Sequence, residues 1–274
     1  MPFKSNRSVI IGGVISATFI FVAILSLLWT PYDPVAVDIP GRLRAPSWNH
    51  WFGTDQYGRD IFSMAMIGIR ISIIVGFLAV TISLIIGGIF GLIAAASPRY
   101  FDAPIMRMSD LLFAFPALIS AILVAAVFGP GAYTVVIAVG IFNIPVFARI
   151  ARAVALPLWE SGFCLAAQTF GKSKLRISIE HILPNALPVI LTQASIQYSL
   201  ALLAEAGLSY VGLGVQPPVP SLGRMLAESQ TYAGVAPWMT LIPGFLLFLI
   251  ILGVNLLGEG LRERLEPRAQ DLKP

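Results

Sequence analysis

Six apolar stretches, each long enough to cross a lipid bilayer, constrain the fold of this chain more than any other feature. They cover residues 8–29, 71–96, 111–128, 133–155, 187–213 and 238–257. Crossing a bilayer takes roughly 20 apolar residues, because a helix rises about 1.5 Å per residue and the hydrocarbon core is about 30 Å thick. Only 12% of the residues are charged, which is about half the share usual in soluble domains. The sequence therefore predicts an all-α fold, a polytopic membrane helix bundle with about six transmembrane helices.

Lysine and arginine predict the orientation of these spans. With the N-terminus in the cytoplasm, 13 of the 18 basic residues fall on the cytoplasmic side, and the other five are Arg42, Arg44, Arg59, Arg70 and Arg224. An excess of basic residues on the cytoplasmic side is typical of membrane proteins. Both termini are therefore expected in the cytoplasm, and the net charge of +4 is attributed to topology rather than to an anionic ligand or a nucleic acid.

This topology divides the chain into four parts. They are a cytoplasmic tail with the first transmembrane helix (1–30), an extracytoplasmic loop (31–69), a five-helix core with a cytoplasmic loop at 156–186 (70–262), and a cytoplasmic C-terminal tail (263–274). Residues 221–232 are predicted to form a short outer helix after a proline-rich turn. Pro116, Pro145 and Pro243 are expected to interrupt or kink the helices that contain them.

Few polar side chains occur within the predicted spans. Glu205 is the clear ionisable case, and such a group deep in a bilayer costs on the order of 2.5–3.5 kcal/mol unless it faces protein or water. Gln193 and Gln197 share one face of the same helix, while Asn143 and Asn255 lie in the fourth and sixth spans. Two interpretations remain open: these residues line a hydrophilic translocation path, or they hold the bundle together by interhelical hydrogen bonds.

The sequence contains no pattern expected of a catalytic or metal centre. Residues 166–173 fit a relaxed phosphate-loop pattern, but they follow no predicted strand and lie in a helical stretch with no room for a nucleotide domain. One cysteine, Cys164, and two distant histidines, His50 and His181, are too few for a cluster of metal ligands. We therefore predict no enzymatic activity, no metal and no directly bound cofactor. Energy for uphill transport would come from a partner or an ion gradient.

The cytoplasmic segment between the fourth and fifth spans carries the most specific pattern. It reads Leu-Ala-Ala-Gln-Thr-Phe-Gly from Leu165, then nine residues, then His-Ile-Leu-Pro-Asn from His181. Gly171 favours a sharp break between two short helices, and Pro184 suits the start of the next span. The segment resembles the EAA loop of ABC-importer permeases, whose short helix docks in a groove on a separate ATPase subunit. Leu165 stands where that family usually has glutamate, which removes one acidic contact.

Further blocks narrow the resemblance to the "C" permease of dipeptide, oligopeptide and nickel importers. They lie at residues 50–63, 106–110, 115–116, 204–209, 212–218 and 255–261. The residues to which the resemblance assigns ATPase coupling are Glu160, Leu165, Ala166, Ala167, Gly171, Lys172, His181, Leu183 and Pro184.

The resemblance also implies a set of partners. They are a homologous second permease, two ATP-binding subunits that use ATP and Mg²⁺, and an extracytoplasmic substrate-binding protein that faces residues 31–68 and the segment after residue 214. Peptides are the expected substrate, with nickel chelates, opines and oligosaccharides as alternatives.

Two other classes of function fit the sequence less well. An ion-coupled secondary transporter would be expected to have several intramembrane carboxylates and inverted repeats, whereas this chain offers essentially Glu205 and no visible repeat. An integral-membrane enzyme would need His, Asp and Cys converging on one face, which the sequence does not suggest. Both remain alternatives to an ATP-driven importer.

Overall fold

The computed structural model describes residues 2–115 and 117–265, with the backbone alone described at residues 2–6, 99, 117–118 and 264–265. Ten α-helices form within these residues, and the predicted all-α bundle is confirmed. They are α1 (Pro2–Leu25), α2 (Ile61–Ala96), α3 (Arg99–Ala114), α4 (Ala117–Phe128), α5 (Ala132–Trp159), α6 (Gly162–Thr169), α7 (Lys174–Ile177), α8 (Leu183–Tyr210), α9 (Leu222–Ser229) and α10 (Trp238–Leu265).

Five helices, α1, α2, α5, α8 and α10, are long and apolar enough to cross a membrane, and α3 with α4 could form a sixth span. The stretch predicted as one helix over 111–128 is not continuous, because α3 and α4 meet at an angle of 89°. The break falls at Phe115, whose extended backbone (φ −90°, ψ 126°) ends α3. That conformation is the one expected of a residue that precedes proline, although Pro116 itself lies outside the described residues.

Proline does not interrupt the other helices in the way that the sequence suggested. Pro145 lies within the continuous helix α5 and Pro243 within α10. A proline leaves one carbonyl without its helical partner, yet neighbouring helices and local adjustment let membrane helices continue through it. The helices α5 and α10 are therefore not interrupted at these two positions.

Helix α2 starts well before residue 71 because its first turn is capped. Asp60 has an extended backbone, and its side chain accepts a hydrogen bond from Ser63 N at 2.8 Å. This is the arrangement of a helix N-cap. Farther along α2, a Cβ on Gly87 or Gly91 would lie 2.3 Å from a carbonyl oxygen of α5. Glycine thus lets the two helix backbones approach closely, as small residues do in membrane bundles.

The buried apolar residues form three clusters that follow one another across the bundle. The first joins α1, α2, α8, α9 and α10 and includes Ile61, Leu202 and Leu222. The second joins α2, α4, α5 and α8 around Phe147. The third lies where α2 and α5 end and includes Cys164 of α6. The bundle core is thereby continuous with the short helices of the 156–186 loop.

Candidate functional site

The segment between α5 and α8 is an ordered elbow of two short helices. Gly171 separates α6 from α7 with a φ of +75°, a conformation that residues with a Cβ rarely adopt. Ser173 caps α7, since its hydroxyl accepts a hydrogen bond from Arg176 N. A π-helical turn at Ser178–Ile182 then leads into α8, whose first turn contains Pro184. The helix, glycine break and second helix expected from the sequence are all present.

One face of this elbow is buried against the ends of α2 and α5. Cys164 is fully buried and Ala167 nearly so, and both pack with Ala95 of α2, Ala155 of α5 and Ile182. Lys174 adds a polar link, because its ammonium donates a hydrogen bond of 2.8 Å to the carbonyl of Ala96 at the end of α2. Apolar packing thus holds α6, and a hydrogen bond holds α7, so the elbow is attached to the ends of these two long helices.

The opposite face of the elbow is exposed and apolar. The side chain of Phe170 is 86% exposed and that of Leu165 is 51% exposed, and Ala166 lies between them on the surface. Outside the apolar spans, grouped large apolar side chains of this kind usually mark an interaction surface. Glu160 is exposed nearby as the residue that ends α5.

A charged cluster fixes the second half of the elbow. Lys172 Nζ donates to Glu180 Oε2 at 2.7 Å, and Arg176 Nε donates to Glu180 Oε1 at 2.6 Å. These two hydrogen bonds lower the pKa of the Glu180 carboxyl to about 2. Lys172 Nζ also lies 3.1 Å from His181 Nε2. Lys172 therefore joins the turn after Gly171 to the π-helical turn, a link that its sequence position alone did not reveal.

Glu205, the ionisable residue of the fifth predicted span, is fully buried at the junction of three elements. Its carboxylate accepts hydrogen bonds from Ser209 Oγ of α8 and from Ser221 Oγ, each at 2.8 Å, and from Ser72 Oγ of α2 at 3.3 Å. Ser221 is also the N-cap of α9, because its hydroxyl accepts from Arg224 N. The carboxylate thus ties α9 to two long helices.

The other polar residues of the spans do not join Glu205. Asn143 lines a cavity of about 440 Å³ between α4, α5 and α8, whereas Gln197 is buried and Gln193 is partly buried in α8. Asn255 donates a hydrogen bond of 2.8 Å to Ser199 Oγ and so joins α10 to α8. Within the described part of the chain, no hydrogen bond links the four path candidates, Glu205, Gln193, Gln197 and Asn143, to one another.

An ion-paired cap lies at the end of the bundle opposite the elbow, between residues far apart in the sequence. Arg59 donates to Asp55 Oδ2 at 2.6 Å and to Glu228 Oε2 at 2.8 Å, and Arg224 donates to Glu228 Oε1 at 2.7 Å. Burial acts to lower the pKa of Arg59, but the charges and hydrogen bonds of Asp55 and Glu228 outweigh it and raise that pKa. Trp238 Nε1 adds a bond of 3.3 Å to the carbonyl of Thr54.

Sequence reasoning missed this cap and the three serines around Glu205. The i, i+4 spacing of Ser209 from Glu205 and of Glu228 from Arg224 was the available signal. Nothing in the sequence pairs Arg59 with Glu228, because that contact depends on how the first outer loop folds onto α9.

The protein is thus a polytopic bundle with an anchored elbow at one end and an ion-paired cap at the other. Residues 87–271 match the family described as "binding-protein-dependent transport system inner membrane component". The chain belongs to this family and is a multi-pass inner-membrane permease subunit.

Relatives and a solved structure agree with this assignment. The chain is 42% identical over 265 residues to the dipeptide transport system permease protein DppC of Alkalihalophilus pseudofirmus, covering 97% of this chain and 87% of that protein. It is 40% identical over 267 residues to the glutathione transport system permease protein GsiD of Salmonella paratyphi A, covering 97% and 88%. It is 37% identical over 260 residues to the probable D,D-dipeptide transport system permease protein DdpC of Escherichia coli, covering 93% and 87%. A chain of the inward-facing MetNI methionine ABC transporter shares the fold, with a TM-score of 0.61 at 17% identity over 72% of this chain and 94% of that chain.

Proposed function

We propose that this chain is the translocating permease subunit of an ATP-driven importer of dipeptides or oligopeptides. It would work with a homologous second permease, two ATP-binding subunits and an extracytoplasmic substrate-binding protein. The names of its relatives, which refer to dipeptide, D,D-dipeptide and glutathione transport, support a peptide substrate. ATP and Mg²⁺ would be used by the partner subunits.

The observation that carries this proposal is the two-sided construction of α6. Its buried face packs on the ends of α2 and α5, and its exposed face presents Leu165 and Phe170. A subunit that moved while bound to the exposed face would displace the long helices through the buried face. We therefore assign ATPase docking to the elbow, with Leu165 making an apolar contact in place of an acidic one.

Purification of the tagged chain from its native membranes in mild detergent, followed by mass spectrometry, tests the assembly. A second permease and one or two ATP-binding subunits are expected to co-elute with the wild-type chain. Phe170→Lys should lose the ATP-binding subunits, because a cation would have to enter an apolar contact at a cost of a few kcal/mol. Val235→Lys, at an equally apolar and 71% exposed position on the outer side, is the matched control. Recovery of the chain alone, even after crosslinking, would favour a secondary transporter.

The proposed orientation, with both termini in the cytoplasm, can be tested with single cysteines. Cys164 is the one cysteine of the sequence and is buried, so Cys164→Ser gives a clean background. Leu175→Cys and Val235→Cys each place a thiol at a position that is 71% exposed. A membrane-impermeant maleimide applied to intact cells should label the second variant and spare the first. The opposite pattern would invert the topology.

Substrate class is tested by uptake of labelled dipeptide into cells that lack their own copy of this permease and regain the wild-type chain. Restored dipeptide uptake that depends on ATP is the expected result. Restored uptake of a nickel chelate, an opine or an oligosaccharide without dipeptide uptake would replace the peptide assignment with that substrate. Uptake independent of ATP would contradict the importer mechanism itself.

A further inference from the structure

An aromatic pocket of about 300 Å³ opens where the outer ends of α1 and α2 meet the first outer loop. It is lined by the aromatic residues Trp29, Tyr32, Trp48, Trp51 and Phe62, and Asp60 also lines it. Trp29 closely follows the end of α1, and Phe62 lies in the first turn of α2. The pocket is therefore expected at the level where the lipid headgroups of the outer leaflet meet water.

The carboxylate in this pocket is held rigidly. Asp60 is 3% exposed, and its Oδ2 accepts hydrogen bonds from Ser63 N at 2.8 Å and from Ser63 Oγ at 2.7 Å. His50 Nδ1 lies 2.9 Å from Asp60 Oδ1, and the His50 ring packs on Tyr32 with 4.8 Å between centroids. An ionised carboxylate can accept about four hydrogen bonds, so Asp60 retains capacity for one more donor.

Arg59 and Arg70, the two arginines that flank Asp60 most closely in the sequence, are engaged elsewhere. Arg59 is paired with Asp55 and Glu228, and Arg70 donates a hydrogen bond of 3.0 Å to the carbonyl of Ser26. Asp33 adds a second carboxylate to the same loop, where it accepts from Val35 N. Asp60 contacts the imidazole of His50 rather than either of these arginines. The pocket thus combines aromatic faces with negative charge.

Aromatic faces and a carboxylate together recognise an organic ammonium group. The negative face of an aromatic ring attracts a cation within about 6 Å of its centroid, and tryptophan is the strongest of the rings. Trp48, which is 95% exposed, has no buried packing role and stands at the rim of the pocket. Tryptophan is also enriched at the headgroup level of membrane proteins. We propose that this pocket binds the ammonium headgroup of a phosphatidylethanolamine molecule in the outer leaflet.

A bound headgroup would act on the cap described above. The loop that forms the pocket continues directly into Asp55 and Arg59, which hold α9 through Glu228. Occupation of the pocket fixes the aromatic part of this loop. The lipid therefore stabilises the outer side of the permease without entering the bundle core.

The test is a lipid titration of the full-length chain, purified in detergent with the subunits that accompany it and monitored by native mass spectrometry. Dioleoyl phosphatidylethanolamine and dioleoyl phosphatidylglycerol share their acyl chains and differ in the headgroup. We expect at least one phosphatidylethanolamine adduct that is retained about tenfold more strongly than any phosphatidylglycerol adduct. Trp48→Ala should weaken that adduct about fivefold, the scale of one cation–π contact. Tyr210→Ala, which removes an exposed aromatic ring at the outer end of α8, should leave it unchanged.

Two further measurements complete the test. Asp60→Asn keeps an acceptor for Ser63 and removes the charge, so it should abolish the preference for phosphatidylethanolamine while the melting temperature stays within a few degrees of wild type. Ethanolamine at millimolar concentration should not compete with the lipid, because it lacks the acyl chains that hold the headgroup at the pocket. Equal retention of the two lipids, or an unchanged adduct in Trp48→Ala, would overturn the proposal. Full competition by free ethanolamine would overturn the lipid assignment and make the ligand a soluble amine.

Discussion

Replacement of Glu205 by alanine is the perturbation that most directly tests how the outer side of this permease is held. The change removes the acceptor of three hydrogen bonds, from Ser72, Ser209 and Ser221. It also opens a void where a fully buried side chain had been. Ser221 keeps its role as the cap of α9 through Arg224 N, but it loses its tie to α8.

The expected loss of stability follows from these contacts. Each hydrogen bond contributes about 0.6 kcal/mol on average between membrane helices and up to about 1.5 kcal/mol in a buried site, so the three together contribute about 2–4.5 kcal/mol. The lower half of this range applies if Ser72 and Ser209 turn their hydroxyls to helix carbonyls, as Ser83 does in this structure. For a protein of this length, a loss of that size lowers the melting temperature by roughly 5–15 °C.

The assay compares Glu205→Ala with Glu205→Gln in the same detergent. Glutamine keeps the volume and one acceptor oxygen, so its melting temperature should fall by less than half as much. Peptide uptake should fall in the alanine variant, because α9 is no longer fixed to α8 and α2. An alanine variant with wild-type melting temperature and wild-type uptake would refute the view that this carboxylate braces the outer side.

Three further predictions concern the elbow and the α2–α5 contact. Gly171→Val should preserve membrane insertion but reduce uptake per ATP hydrolysed. The reason is that a φ of +75° costs a residue with a Cβ roughly 1–2 kcal/mol. Normal coupling of uptake to ATP hydrolysis in proteoliposomes would contradict the docking proposal. The lowered pKa of Glu180 means that its contribution to stability is complete above about pH 4.5 and is lost as the pH falls toward 2. Hydrogen exchange of the elbow should therefore be constant from pH 7 to about 5 after correction for intrinsic rates, and Lys172→Ala should raise the measured pKa of Glu180. Gly91→Ala should lower the yield of folded protein, because its Cβ would lie 2.3 Å from a carbonyl oxygen of α5. Gly88→Ala is the control and should leave the yield unchanged, because its Cβ would have nothing within 4 Å. Equal yields of the two variants, measured by fluorescence-detected chromatography, would contradict the packing argument.

Much of the fold could be predicted because the bilayer imposes simple requirements on the sequence. Length and apolarity marked α1, α2, α5, α8 and α10, since a spanning segment must satisfy its backbone internally and bury apolar side chains in lipid. The elbow was equally predictable, because Gly171 and Pro184 have local conformational preferences that need no knowledge of the tertiary fold. The bend between α3 and α4 could not be predicted, because it lies inside a single apolar stretch that reads as one continuous helix.

The functional roles of the polar residues could be predicted less well than their positions. Glu205 was recognised as unusual, but its three serine partners come from α2, α8 and the cap of α9, and serine is too common in membrane helices to stand out. Asn143, Gln193 and Gln197 shared a polar character that suggested one path. In the structure, Asn143 lines the cavity beside α4 while Gln197 is buried in α8.

By itself, the sequence determined that the chain is a membrane bundle, which five helices are long and apolar enough to cross a bilayer, and where the elbow breaks. These properties depend on hydropathy and on the backbone preferences of single residues, which act locally. The tertiary structure decided that Cys164 anchors the elbow to α2 and α5, that Arg59 meets Glu228, and that Asp60 lines an aromatic pocket. These contacts join residues that are distant in sequence, so they exist only once the helices have packed against one another.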